Sequence, residues 1–244
     1  IASSLVILLG FLLTYSYSGI RKYSPPMRGS FCQGAFRGNL AYVGLAICLN
    51  AYGDDGLTRA GILMGFLVPV LNLFAILALL LPHHKNSEEP QPNWITQVMV
   101  NPLIIASFLG IIWSYWHLPM PIIIDRALEI TTGLTLPLAL LAIGGSFSIQ
   151  RLKGDLRVAG LATVVKLALL PTIAALLLIL FKVSGSNFGI GILMAGTPAA
   201  TATYIMAAQM KGDAELAASI VMLSTLCSAI SYTVILLILQ SAGI

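Results

Sequence analysis

An all-α polytopic membrane protein is the fold class that this sequence predicts, and three observations carry it. The chain is 58% hydrophobic and only 9% charged, against roughly 25% charged residues in a soluble domain. Its apolar residues form continuous runs of membrane length rather than alternating ten-residue strands, which argues against a β-barrel. Two of the runs are interrupted in the middle by similar segments, Phe36-Arg37-Gly38-Asn39-Leu40-Ala41 and Gly196-Thr197-Pro198-Ala199-Ala200, 159 positions apart. The same shift places Gly53-Asp54 on Gly212-Asp213, Leu57 on Leu216 and Leu67 on Leu226. Paired interrupted spans in two halves of a chain are the mark of a secondary transporter's binding site.

Runs that could cross a hydrocarbon core of about 30 Å lie at 1–20, 29–52, 57–81, 98–116, 126–149, 157–181, 186–210 and 214–240. The first opens at Ile1 without initiator Met, basic n-region or cleavage site, and reads as the start of a truncated chain rather than a signal peptide. The second carries the Arg37 break, and the Gly53-Asp54 turn separates it from the third. The longest connection, 82–97, is polar and Pro-containing, and divides three spans before it from five after it. Lys166 lies inside the sixth span ahead of Pro171, the seventh carries the Pro198 break, and the last follows Gly212-Asp213.

Alternating the eight spans sorts the basic residues. Arg21, Lys22, Arg28, Lys85, Arg151, Lys153, Arg157 and Lys211 fall on one side, and Arg59, Arg126 and Lys182 on the other. The richer side is cytoplasmic by the positive-inside rule, which puts both visible termini outside. Gly53-Asp54 then lies outside and Gly212-Asp213 inside, so the repeats are inverted. The net charge of +4 is spread over loops and predicts no nucleic-acid partner. Cys32, Cys48 and Cys227 all fall within spans and show no disulfide or metal spacing. No metal site, cofactor motif or catalytic constellation is visible. Gly189-Ile190-Gly191 with Gly196 lacks nucleotide-loop spacing, and His83-His84 reads as an ordinary loop pair. Asp125, Arg126 and Glu129 read as an interfacial cluster, with Glu129 the best carboxylate for proton titration. The GxxxG pairs Gly34/Gly38, Gly61/Gly65 and Gly185/Gly189 read as helix packing.

Arg37 is the costliest residue, since an arginine at mid-span costs about 2.5–3.5 kcal/mol on insertion scales. Gly38 beside it can end a helix, and Asn39 can cap the next half-helix. The competing reading is an Arg that snorkels to the surface. Thr197-Pro198 reads as a helix start, with Thr as cap and Pro at the first helical position, against the alternative of a simple packing kink. Two half-helices starting there would aim their positive ends at one point, and with Arg37 the site favours an anion, a carboxylate above all. Lys166 is either a further substrate contact, a charge standing in for a coupling cation, or another snorkelling residue. Asn72 with Pro69, and Ser228 with Ser231 at the equivalent positions, are candidates to line the cavity, although interhelical hydrogen bonding is the stronger reading for the serines.

These residues resemble the auxin efflux carrier family. The matches are F-x-x-G-A-F-R-G-N-x-A-Y-V-G from Phe31 to Gly44, A-Y-G from Ala51 to Gly53, and N-P-L-I at Asn101. Others are P-L-A-L-L-x-I-G from Pro137, K-L-x-L-x-P from Lys166, and G-T-P-A-A-T-A-T-Y from Gly196. The resemblance implies ten helices in two inverted five-helix repeats with crossed broken helices, similar to the bile acid:sodium symporter fold, with eight of the ten present. It implies a transport domain from residues 1–81 and 150–244, a cytoplasmic loop at 82–97, scaffold helices at 98–149, and a homodimer in the full-length protein. The short loop is similar to the bacterial organic-acid permease branch, hence an inner membrane.

The expected activity is therefore not enzymatic. It is carriage of small organic anions, mono- or dicarboxylates, across the bilayer by alternating access. The expected substrate site comprises Arg37, Gly38, Asn39, Asn72, Lys166, Gly196, Thr197, Pro198 and Ala199. The alternatives are a sodium-coupled symporter of bile-acid type and a non-transporting receptor for such anions. Single cysteines at Ser87 and Asp55 should label from opposite faces, Ser87 from the cytoplasm. Labelling of both from one face would remove the basis for inverted repeats.

Overall fold

The computed structural model describes residues 1–83, 102–131, 134 and 155–244. Among these residues the regular structure is helical, with one isolated β-bridge and no strand. In chain order the helices are α1 (Ala2–Ile20), α2 (Pro25–Phe36), α3 (Leu45–Leu80) and α4 (Pro102–Tyr115). They continue with α5 (122–131), α6 (Leu156–Leu180), α7 (Gly185–Ala195), α8 (Ala202–Gln209) and α9 (Ala214–Ser241). A π-helical turn, Leu40–Gly44, leads into α3, and another, Val165–Leu169, lies within α6. Among the described residues α1, Leu40–Leu80, α6 and α9 are long and apolar enough to cross a membrane. Most of the expected loop 82–97, the Asn101 and Pro137–Gly144 motif residues and most of the span 126–149 lie outside the described residues.

The order of elements in the first eighty residues recurs in the last ninety. A long helix is followed by a short one, a break, and a helix leading into a second long one. α1 and α6 even end alike, on a lysine in the left-handed region, Lys22 at φ 54° and Lys182 at φ 56°. In each case the next N–H reaches back five residues, Tyr23 to the Ser18 carbonyl at 3.1 Å and Val183 to that of Leu178 at 2.9 Å. This is the Schellman pattern, which caps carbonyls that the helix itself leaves unpaired.

The expected turn between the second and third spans falls at Gly53, where two helices meet at a kink and the glycine departs from helical geometry at φ 64°, ψ −155°. That region of backbone space is open to glycine only. The piece from Leu40 to Tyr52 covers about 20 Å at 1.5 Å per residue, enough to run from mid-bilayer to its surface. At this end Arg59 pairs with Asp55 at 2.8 Å and donates to Asn187 Oδ1 of α7 at 3.1 Å. Elsewhere the Asp213 N–H donates to the Pro26 carbonyl at 3.2 Å, holding the head of α9 beside the start of α2.

The short helices pack inside the long ones. α2 lies against α1, α3, the first part of α6 and α9, while α7 lies against α3 and the last part of α6. α1 turns Val6, Ile7 and Phe11 inward and Leu12 and Leu13 outward, as a lipid-facing helix should. Phe11 is the hub of an aromatic cluster, its ring 5.1 Å from Phe74, 5.5 Å from Tyr15 and edge-on to Phe36 at 6.0 Å. GxxxG pairs divide in their use. Gly189 lets Tyr52 approach so closely that no Cβ would fit, whereas Gly61 and Gly65 meet nothing within 4 Å. Truncating Phe11→Ala should cost roughly 3 kcal/mol and lower the melting temperature of the detergent-solubilised protein by roughly 10 °C. An unchanged melting point would show that this cluster does not hold α1 to the bundle.

Candidate functional site

Both interrupted helices stop at the middle of the bundle, and their loose ends bond to each other. α2 ends at Phe36, and Arg37 is already extended at φ −77°, ψ 104°. Asn39 N–H donates to the Pro198 carbonyl at 2.8 Å, and Ala200 N–H donates to the Arg37 carbonyl at 3.0 Å. Gly38 and Ala199 lie between them as an antiparallel bridge. Asn39 and Pro198 are themselves the pair related by 159 positions. Ala199 N–H is held separately by Ser224 Oγ of α9 at 3.0 Å.

Asn39 caps the following turn as its residue type predicts. Its side-chain oxygen accepts from Tyr42 N–H at 3.2 Å, and its carbonyl accepts from Val43 and Gly44. Thr197-Pro198, in contrast, does not start a helix. α8 begins only at Ala202, with Thr201 before it, and the Thr197 hydroxyl turns back to donate to the Met194 carbonyl at 3.0 Å. Pro198 has no N–H to offer, so its carbonyl serves the crossing and its fixed φ suits the extended segment. Gly38 also has a different role from the one expected. A Cβ there would collide with Thr197 Oγ1 and sit 3.4 Å from Lys166 Cε. Close approach of two backbones, rather than freedom to end a helix, requires glycine.

Arg37 is 5% exposed and lines a cavity of about 180 Å³ with Gly38, Asn39, Tyr42, Asn72 and Thr201. Its guanidinium donates to Asn72 Oδ1 at 2.6 Å and to Met206 Sδ. Two of its five N–H donors are so engaged, and none of the ion pairs among the described residues includes it. Asn72 Nδ2 and Thr201 Oγ1, both on the cavity, are buried without a hydrogen-bond partner. Behind them Gln33 Oε1 and Thr203 Oγ1 are also buried and unpartnered, although Gln33 Nε2 donates to the Thr203 carbonyl at 3.1 Å. Buried polar atoms normally find partners, and four that have none here lie on or beside the cavity of one guanidinium.

Of the nine residues expected to form one site, Arg37, Gly38, Asn39 and Asn72 share this cavity. Gly196, Thr197, Pro198 and Ala199 build the crossing without lining it, and the Ala199 and Ala200 N–H groups are already bonded. Lys166 is on the other side of Gly38, in a second, smaller cavity. Ser228 and Ser231 each donate to a carbonyl three residues back within α9 and make neither an interhelical bond nor part of the cavity lining. Sequence reasoning missed Thr201, Met206, Gln33 and Ser224. The spacing of Gln33 one turn before Arg37 was a usable signal, and nothing local marked the others.

The broken helices, their mutual hydrogen bonds and a buried cationic cavity define an integral membrane protein of the transporter class. Residues 92–236, more than half the chain, match the membrane transport protein family, and the chain belongs to that family, also called the auxin efflux carrier family. It is also 26% identical over 193 residues to a protein of Methanothermobacter thermautotrophicus described as an uncharacterized transporter. That match covers 79% of this chain and spans 62% of the relative's length.

Gly38→Ala should force the crossing apart and lower the melting temperature by roughly 5 °C, the scale of overpacking in a well-filled core. Gly61→Ala, in open space, should leave it unchanged or raise it. Equal behaviour of the two variants would mean that the crossing yields to a methyl group.

Proposed function

We propose that the protein carries small organic anions, mono- or dicarboxylates, across the membrane by alternating access, with Arg37 as the anchor for the carboxylate. The observation that carries this reading is a buried guanidinium in a cavity whose other polar atoms include donors without partners. An unpaired charge inside the membrane is costly, and an anionic substrate relieves that cost while it is bound. Asn72 Nδ2 and the Thr201 hydroxyl are placed to add hydrogen bonds. The Leu40 and Ala41 N–H groups, ahead of the first intrahelical donor at Val43, favour the same sign of charge. About 180 Å³ admits several waters or one short acid.

Alternating access would use the crossing as its pivot. Residues 1–81 and 150–244 form the moving domain in this reading and 98–149 belong to the scaffold, which in the whole protein also carries a homodimer contact. Two ties support an inverted arrangement of the repeats. Asp213 is bonded beside the basic Arg21–Arg28 end, and the Gly53 break is tied through Arg59 to the start of α7. The membrane would be a bacterial inner membrane with both visible termini outside.

Counterflow in proteoliposomes over a panel of small mono- and dicarboxylates tests the reading and separates a carrier from a receptor. With the acid that gives counterflow, Arg37→Lys should weaken binding roughly tenfold and Arg37→Gln roughly a hundredfold, because lysine keeps the charge but not the planar fork. Equal affinity in wild type and Arg37→Gln would sink the assignment.

A further inference from the structure

The end of α7 is a helix C-terminus buried at the centre of the bundle, so its last carbonyls need donors from elsewhere. Each of them has one. Ile192 accepts from Gly196 N–H at 2.8 Å, Leu193 from the Tyr232 hydroxyl at 3.3 Å, and Met194 from the Thr197 hydroxyl at 3.0 Å. Ala195 accepts from the Lys166 ammonium at 2.7 Å. Three of the four donors are neutral, and the charged one sits at the very tip, where the negative end of the helix dipole is strongest.

Lys166 reaches that carbonyl from inside the π turn Val165–Leu169 and is 2% exposed. An extra residue in a helical turn re-aims the side chains around it and is found mostly at functional positions. The ammonium lines a cavity of about 40 Å³ whose other walls include Ile7, Phe36, Gly38, Leu170 and Ala195. That space admits one or a few waters. None of the ion pairs among the described residues gives Lys166 a carboxylate, and no cluster of His, Cys, Asp or Glu there could hold a metal ion. The position 159 residues earlier is Ile7, which lines the same cavity. One cation therefore serves a centre that both halves build.

In carriers with broken helices, the C-terminal ends of the half-helices and their unwound carbonyls are where a coupling cation is held. We propose that Lys166 is a built-in counter-cation, its ammonium fixed on the Ala195 carbonyl in the place of a bound sodium ion, so that this protein's cycle runs without sodium. An ammonium on a four-carbon stem is a point charge of the same sign, tethered to the chain. It stays with the protein in every state, whereas a coupling ion must enter and leave.

Lys166 lies outside the Arg37 cavity, and its test needs no transported anion. A failure here is thus distinct from a failure of the carboxylate assignment. The purified protein is melted in sodium, potassium and choline chloride at equal ionic strength. Wild type and Lys166→Arg should show the same melting temperature in all three salts. Lys166→Ser, which empties the ammonium's place beside the carbonyl, should melt lower in choline and gain roughly 3 °C or more in sodium alone. A sodium-selective rise in wild type overturns the proposal, as does a folded Lys166→Ser protein that gains nothing from sodium. If the serine variant does not fold, Lys166→Met decides. It fills the stem's volume but leaves Ala195 uncapped, and must melt below wild type in every salt. A melting temperature equal to wild type overturns the proposal.

Discussion

Two backbone hydrogen bonds, Asn39 N–H to the Pro198 carbonyl and Ala200 N–H to the Arg37 carbonyl, make the rest of the structure possible. A helix can break inside a membrane only if the freed backbone groups find partners within the protein. Here each break supplies the other's. Without that exchange α2 and α7 would have to continue as helices, Arg37 would lose its turn into the cavity, and neither half-helix would end at mid-bilayer. Side chains complete what the exchange leaves over: Ser224 on Ala199, Asn39 on Tyr42, Thr197 on Met194 and Lys166 on Ala195.

The crossing also separates two charges of the same sign. Arg37 and Lys166 lie on either side of Gly38, in different cavities, and only Arg37 is left with donors facing unpartnered polar atoms. One cation is engaged by a backbone carbonyl, and the other by the side chains of Asn72 and Met206. That division follows from geometry, because both residues are single arginine or lysine insertions in apolar runs and look alike in composition.

Much of this was legible in the sequence, and what was not has physical reasons. Composition and run length make the chain a helical membrane protein, and the repeated Gly-Asn and Thr-Pro interruptions locate both breaks. Asn39 announces a cap because its side chain acts on residues three positions away. Thr197 misleads for the same reason in reverse: a threonine can bond to a carbonyl behind it as readily as to an N–H ahead, and only the partner strand decides. Gly53 announces the turn between two helices because its backbone geometry is one that only glycine takes up. Met206 and Ser224 belong to the site only through contacts 169 and 25 residues distant in sequence.

Mutual dependence of the breaks has a cost in time during synthesis. The donors and acceptors around Asn39 emerge 159 residues before Pro198 does. At about 5–20 residues per second, the first half of the crossing waits roughly 8–30 s in the membrane for its partner. Through that interval its unbonded peptide groups and the Arg37 guanidinium must be shielded from lipid by water, by the insertion machinery or by a helical detour through Gly38. Nascent chains of this carrier are therefore most vulnerable to quality-control proteolysis between the two breaks, and slowing translation anywhere from α3 to α7 would lengthen that exposure.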